Sequence, residues 1–312
     1  MRRAFRRLLF FGVAAPLLLL FLSATRTTLA PSPPTTVPRA HTTSVYRTQT
    51  TTAPLAHTTS VHPTQTTTVP LAHSTSIHPT QTTEVLIAAA ADLKFAMDSV
   101  VAIFSRQNPN ITVKVVYGSS GNFFQQIDNS APFDLFFSAD IDYPRQLQEK
   151  NKTISDVKLY GTGQLVLWSK TLDPNQEKMN SLLNNAIKKI AIANPAHAPY
   201  GKRAEESLHY YQLYDKIKDK LVIGENIAQT AQYAQSGATD IGIIALSLAL
   251  SPAMQQTGGK YWLIPASSHQ PLQQGYVLLP HAKGNAGAEK FSTFFSSPVT
   301  ATILQKFGFG QP

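Results

Sequence analysis

Short apolar runs alternate with amphipathic segments from residue 84 to residue 312. The run VLIAAAA at 85–91 predicts a buried strand, and Asp92 follows it as the N-cap of a helix. Asn108-Pro109 ends that helix. Its apolar residues recur at the spacing of a buried helical face, and they are Leu93, Ala96, Met97, Val100, Val101 and Phe104.

The same alternation continues to the C-terminus. Further strands are predicted at ITVKVVY, FDLFFS, QLVLWS, KIAIA, LVIG, DIGIIAL, YWLIP and GYVLLP. Short strands separated by helices predict mostly parallel sheets with helices on both faces, so the fold class is α/β. The length of 84–312 fits two α/β lobes better than one sheet, with a ligand in the crevice beyond the carboxyl ends of the strands.

The first 30 residues have the order of a secretory signal. Arg2, Arg3, Arg6 and Arg7 precede an apolar run at 8–22, and small residues follow it. The run is short for a full span of the bilayer. We therefore expect residues 1–30 to be a signal peptide, with an uncleaved membrane anchor as the alternative.

Residues 31–83 form a linker rich in Thr and Pro. Three 16-residue repeats cover 38–85: PRAHTTSVYRTQTTTA, PLAHTTSVHPTQTTTV and PLAHSTSIHPTQTTEV. Such units cannot bury a core, so we expect an extended tether. A weak metal-collecting role is the alternative for the repeated histidines, which are His41, His57, His62, His73 and His78.

The net charge of +9 belongs to the N-terminal region. All 18 acidic residues lie at or beyond Glu84 together with 20 of the 27 Lys and Arg, so 84–312 carries only 20 − 18 = +2. No basic stripe with interleaved aromatic residues indicates nucleic-acid binding. The chain has no cysteine, which excludes disulfides and thiolate metal sites.

Three strand-to-helix junctions indicate an anion site. They lie at AAAAD, YGSSGN and NPAHAPYGK, and each opens a helix. A helix N-terminus offers unpaired backbone N–H groups and a partial positive charge, and the hydroxyls of Ser119, Ser120 and Tyr200 add donors. One junction alone is consistent with an ordinary capped helix, but three on one crevice favour an anion.

Five blocks of 84–312 resemble, in order and spacing, the periplasmic molybdate-binding proteins of ABC transporters. They are AAAADLKFAMD, VVYGSSGNFFQQI, APFDLFFSAD, IANPAHAPYGKRAEESL and ENIAQTAQYAQSGATDIGIIAL. The resemblance implies a type II periplasmic-binding-protein fold that closes over one tetrahedral dianion in the cleft between its lobes. Lobe 1 would comprise 84–163 and 268–312, and lobe 2 would comprise 164–267.

The resemblance also implies the ligand-binding residues, which are Ala91, Asp92, Ser119, Ser120, Tyr200 and, through its backbone N–H, Ile227. Family members usually have Ser, Thr or Asn in place of Asp92, since a carboxylate repels a dianion. We expect Asp92 to cap its own helix and to offer only backbone N–H. The alternative is a protonated ligand, as phosphate partly is at neutral pH, from which Asp92 accepts a hydrogen bond. A tyrosine that some members use is replaced here by Ala245, so that contact is expected to be missing.

The function that the resemblance implies is capture of molybdate or tungstate for an ABC importer. No cofactor is expected, nor any metal beyond the molybdenum of the oxyanion. The expected partner is an ABC transporter permease in the inner membrane. We expect the protein itself to be a monomer in the periplasm or another extracytoplasmic space. Alternatives are a phosphate- or sulfate-binding protein, a surface-tethered adhesin, and a hydrolase on the same fold.

An enzyme is disfavoured because no nucleophile elbow, Walker loop or HExxH motif occurs. Asp134 and Asp140 flank a predicted strand, and His197 lies in the NPAHAPYG turn, where it could be mistaken for a catalytic base. We expect nearby backbone groups to satisfy the hydrogen bonds of His197.

Overall fold

The apolar runs of the sequence form strands in the computed structural model, which describes residues 82–311. The predicted signal peptide and nearly all of the repeat linker lie outside these residues. The strands are β1 (Thr83–Ala90), β2 (Ile111–Gly118), β3 (Leu135–Ser138), β4 (Lys158–Gly163), β5 (Leu165–Ser169), β6 (Ile190–Ala193), β7 (Leu221–Gly224), β8 (Ile241–Ala245), β9 (Lys260–Leu263) and β10 (Leu272–Leu278).

Helices connect most of these strands, and a 3-10 turn at Ala91–Leu93 lies between β1 and the first helix. The α-helices are α1 (Lys94–Gln107), α2 (Ser120–Asp128), α3 (Asp142–Glu149), α4 (Pro174–Glu177), α5 (Pro199–Tyr210), α6 (Tyr214–Ile217), α7 (Ile227–Ser236), α8 (Leu246–Ala249), α9 (Pro252–Gln256), α10 (Ala286–Phe295) and α11 (Pro298–Lys306). None of the helices in this part of the chain is both long and apolar enough to cross a membrane.

The strands form two sheets of five, in the orders β2-β1-β3-β10-β4 and β7-β6-β8-β5-β9. In each sheet four strands run in one direction, while β10 and β5 run against their neighbours. Both sheets are therefore mixed, where the sequence predicted mostly parallel ones. The two reversed strands are the first that the chain forms after it passes from one sheet to the other, without an intervening α-helix that could return it in parallel.

We call the first sheet with α1–α3, α10 and α11 the first lobe, and the second sheet with α4–α9 the second lobe. The first lobe has an aromatic core in which the rings of Phe104 and Phe291 lie edge to face at 5.1 Å and those of Phe137 and Tyr276 stack at 4.6 Å. The second lobe buries Trp168 with aliphatic side chains of its strands. Each lobe thus has its own core, and small apolar residues of the first lobe, among them Ala91 and Ala139, extend the core of the second lobe across the boundary.

Candidate functional site

A small cavity of about 10 Å³ lies between the lobes. It is smaller than the roughly 300–1,000 Å³ typical of pockets for drug-sized ligands, so it suits a small ion. Six of its lining residues are those implied by the family resemblance: Ala91, Asp92, Ser119, Ser120, Tyr200 and Ile227. The first four follow β1 and β2 of the first lobe, and the last two begin helices of the second lobe.

Helix N-termini from both lobes surround this cavity. Ser120 begins α2, Pro199 begins α5 and Ile227 begins α7, while the 3-10 turn at Ala91–Leu93 leads into α1. The first backbone N–H groups of a helix have no partner within that helix, and they lie at its partially positive end. Among the described residues that line the cavity there is no Lys, Arg or His. The cavity is therefore suited to an anion held by uncharged donors.

The cap of α7 shows how one such donor is kept available. The Asn226 side chain accepts hydrogen bonds from the backbone N–H groups of Ala228 and Gln229, at 3.0 Å each. Asn226 thereby satisfies the second and third N–H groups of the helix, as an N-cap does. The first N–H group, that of Ile227 at the cavity wall, is not part of this cap.

The three hydroxyl groups at the cavity differ in what they can still donate. Ser119 Oγ lies 2.8 Å from His197 Nδ1, and Tyr200 Oη donates to Asp92 Oδ2 at 3.0 Å. Ser120 Oγ accepts a hydrogen bond from the backbone N–H of Ala139 at 3.0 Å, which leaves its own hydrogen for a further acceptor. Ser120 is thus the hydroxyl best placed to donate into the cavity.

Asp92 does not cap its helix, so that expectation was wrong. Leu93 is the N-cap of α1 and makes no side-chain cap, because the 3-10 turn delays the start of the helix. Asp92 as a whole is 1% exposed, and its Oδ2 accepts hydrogen bonds from Tyr200 Oη at 3.0 Å and Gln274 Nε2 at 2.7 Å. Two donors from distant parts of the chain therefore hold the carboxylate inside the protein.

A buried polar network continues from Asp92 into both lobes. Gln274 Nε2 donates to Tyr200 Oη at 3.1 Å, and Tyr160 Oη donates to Gln274 Oε1 at 2.6 Å. Ser247 Oγ donates to the backbone carbonyl of Asp92 at 2.7 Å. Every donor in this network is uncharged, and none of them can neutralise a carboxylate.

Burial raises the pKa of Asp92 to about 6, although the hydrogen bonds from Gln274 and Tyr200 and the nearby backbone N–H groups of Asp92 and Leu93 act to lower it. Burial likewise raises the pKa of Tyr200 and of Tyr160 well above the ordinary value, and the nearby Asp92 adds to both shifts. Asp92 Oδ1 is buried and makes no hydrogen bond to the described residues. Near neutral pH, Asp92 is thus the group of this network whose protonation can change.

Polar contacts outside the cavity hold the lobes against each other. The backbone N–H of Gly121 donates to the His197 carbonyl at 2.9 Å, and Asn122 Nδ2 donates to Glu225 Oε1 at 2.7 Å. Arg203, which is 6% exposed, forms an ion pair with Asp140 of the first lobe at 3.3 Å. The structure is therefore a closed form of the cleft.

The histidine of the NPAHAPYG turn takes part in this closure. Backbone groups were expected to satisfy the hydrogen bonds of His197. Its partners are side chains instead: Nδ1 lies 2.8 Å from Ser119 Oγ, and Nε2 lies 3.7 Å from Glu225 Oε1. His197 does not line the cavity. Within 82–311, no group of three or more His, Cys, Asp or Glu side chains could hold a metal ion.

Sequence analysis missed several residues of the site. Gln274 is buried on β10, whereas its neighbour Gln273 is exposed. A polar residue at a position of the strand that faces the interior could have indicated it. Ala139, which follows β3, lines the cavity and could have been found as another strand end. Ala245 is buried at the end of β8 and is not among the lining residues.

Comparisons with known proteins agree with this fold. The family described as "Bacterial extracellular solute-binding protein" matches residues 85–310. The molybdate-binding protein ModA of Azotobacter vinelandii is 32% identical over 224 residues, covering 72% of this chain and 88% of the relative. ModA of Rhodobacter capsulatus is 32% identical over 225 residues, covering 71% and 86%.

A solved structure gives the same picture. The periplasmic molybdate-binding protein of Azotobacter vinelandii superposes with a TM-score of 0.68 at 30% sequence identity. The match covers 73% of this chain and 99% of that protein. The part of this chain that it covers is thus nearly a complete counterpart of the solved protein.

Proposed function

Because this chain belongs to the family of bacterial extracellular solute-binding proteins, we propose that it captures a tetrahedral oxyanion, molybdate or tungstate, and delivers it to an ABC importer. One observation carries the proposal: helix N-termini from both lobes converge on a small cavity whose lining contains no basic side chain. The relatives that bind molybdate support the choice of ion.

The anion is held by uncharged donors. Ser120 contributes its hydroxyl and its backbone N–H, and the backbone N–H groups of Ala91, Tyr200 and Ile227 lie at the starts of the other helical segments. Ser119 lies beside these donors, and its Oγ contacts His197 Nδ1. Since molybdate and sulfate carry the same charge, the size of the cavity discriminates between them.

Closure of the lobes completes the site. The first lobe comprises 84–163 and 268–312, and the second lobe comprises 164–267. An anion in the cavity contacts both, which shifts the population from open to closed forms. The closed form, a monomer, then docks on a permease in the inner membrane.

The proposed work is binding rather than catalysis, and it requires neither a cofactor nor nucleic acid. Residues 1–30 direct the chain out of the cytoplasm, and residues 31–83 tether the binding domain at the extracytoplasmic side. The Thr- and Pro-rich composition of this tether supports an extended spacer.

Titration calorimetry with molybdate, tungstate, sulfate and phosphate tests the proposal. We expect molybdate and tungstate to bind with similar affinity and at least about tenfold more tightly than sulfate, because the larger ions reach donors of both lobes. A control titration with chloride should give no heat of binding. Phosphate or sulfate binding more tightly than molybdate would contradict the assignment of the ion.

A further inference from the structure

Asp92 is the charged residue of the cavity lining. The other described lining residues are Ala, Gly, Ser, Pro, Tyr and Ile, so nothing there balances its charge. Its side chain is almost fully buried, and no basic side chain of the described residues lies within ion-pair distance of it. A dianion in this cavity would therefore lie against an uncompensated carboxylate.

The two oxygens of Asp92 have different surroundings. Oδ2 accepts the hydrogen bonds from Tyr200 and Gln274, whereas Oδ1 is buried without a partner among the described residues. The other side-chain oxygens of the lining, those of Ser119, Ser120 and Tyr200, all have a partner. Oδ1 is thus the lining side-chain oxygen that has no hydrogen-bond partner at all among the described residues.

The groups that contact Asp92 include no other that could take up a proton near neutral pH. His197, in the turn before α5, does not contact Asp92 and lies behind Ser119, with its Nδ1 2.8 Å from Ser119 Oγ. Tyr200 of α5 and Tyr160 of β4 keep their protons, since burial raises the pKa of both. Gln274 of β10 and Ser247 of α8 do not titrate. On α1, Lys94 pairs with Asp98 at 3.0 Å on the exposed side of the helix.

We propose that the site binds its oxyanion together with one proton, which is shared between Asp92 Oδ1 and an oxygen of the anion. The proton comes from solvent and forms an O–H···O hydrogen bond. The Asp92 carboxyl group and the anion together therefore carry a net charge of −2 instead of −3. This inference rests on the proposed function and specifies the charge state in which the ligand is held. Asp92 thereby becomes a donor where it would otherwise repel.

Two further observations fit this arrangement. Tyr200 and Gln274 donate to Oδ2, so a proton on the carboxyl group resides on Oδ1, the free oxygen. Burial raises the pKa of Asp92 to about 6, so its protonation near neutral pH is only mildly unfavourable before any anion arrives. A dianion beside it raises that pKa further.

The proposal predicts a pH dependence that ordinary dianion binding lacks. Molybdate remains a dianion from about pH 7 to pH 9, so its own protonation does not change in this range. Because one proton enters with each ion, we expect its affinity to fall about tenfold for each pH unit. An anion held by amides and hydroxyls alone would show a flat profile.

Titration calorimetry of the full chain with molybdate tests this inference. At about pH 7.5, in buffers of different ionisation enthalpy, we expect uptake of about one proton per ion bound. Asp92→Asn should abolish the uptake, flatten the pH profile and bind molybdate more tightly than the wild type at high pH. Asp142→Asn, which removes an exposed carboxylate outside the cavity, should retain the wild-type uptake and slope.

The outcomes separate the two proposals. Molybdate binding without proton uptake and with a flat pH profile would overturn the shared proton while leaving the proposed function intact. Uptake that persists in Asp92→Asn would also overturn it, since another group would then take the proton. Failure of every tetrahedral oxyanion to bind would overturn the proposed function and this inference with it.

Discussion

Replacing Gly121 with alanine is expected to weaken oxyanion binding roughly 10- to 100-fold while the free protein stays folded. A Cβ at this position would lie 2.6 Å from the backbone carbonyl oxygen of His197, on the opposite lobe. The contact exists only when the cleft is closed, and the backbone of His197 cannot rotate away as a side chain could. The affinity falls with the fraction of molecules that can close.

Gly310→Ala is a matched control for this variant. Its Cβ would meet Thr162 at 3.6 Å, an ordinary contact, and the position lies outside the cavity. Calorimetric titration of both variants with molybdate, together with their thermal melting without ligand, separates closure from folding. Equal affinity of Gly121→Ala and the wild type would contradict the claim that the lobes meet here in the bound form.

The stability of the free protein is expected to fall between about pH 4 and pH 6 because Asp92 ionises inside the protein. Its pKa is about 6 in the folded protein and 3.8 for a free carboxyl, so the unfolded chain loses this proton first as the pH rises. The stabilisation that protonated Asp92 provides is complete below pH 3.8, the pKa in the unfolded chain. It is lost as the pH rises through about 6, the pKa in the folded protein. The full loss is about 3 kcal/mol.

Asp92→Asn removes this dependence. We expect the free energy of unfolding of the variant, relative to the wild type, to grow by about 2 kcal/mol from about pH 4.5 to pH 8, with little further change above pH 7. Urea unfolding at several pH values, without oxyanion, measures it. A difference that is constant across this range would show that the buried carboxyl is not destabilised by its ionisation.

The strands that are visible in the sequence are those with apolar runs. VLIAAAA and FDLFFS form β1 and β3, as predicted. β4, KLYGTG, was not indicated, because it contains two glycines and no apolar run. Gly163 within it makes room for the network, since a Cβ there would lie 2.2 Å from Tyr200 Oη. Requirements of this kind come from the tertiary structure and leave no local pattern.

The mixed pairing of the sheets could not be predicted for a similar reason. Alternation of strands and helices indicates parallel neighbours. It does not show where the chain leaves one sheet for the other, and those are the places where β5 and β10 enter in reverse. The neighbours of a strand are set by long-range packing, which no short segment specifies.

The site was predictable in its positions but not in its hydrogen bonds. Helix-start patterns indicated three of the backbone segments that meet, and the family resemblance implied the six residues, Ile227 among them, that the structure brings to one cavity. The direction of the Asp92 side chain depends on Tyr200 and Gln274, which lie 108 and 182 residues away in the chain. The local sequence therefore indicated a helix cap, although the carboxylate belongs to the buried network.

A crystal structure with tungstate, located by the anomalous scattering of tungsten, tests the central claim most directly. We predict a single site between the lobes, with the oxygens of the ion accepting hydrogen bonds from the Ser120 hydroxyl and from backbone N–H groups at the starts of α2, α5 and α7. No lysine or arginine nitrogen should lie within about 4 Å of the ion, the distance of an ion pair. An ion that instead lies against a basic side chain or a cation, away from Ser120 and Tyr200, would contradict the account.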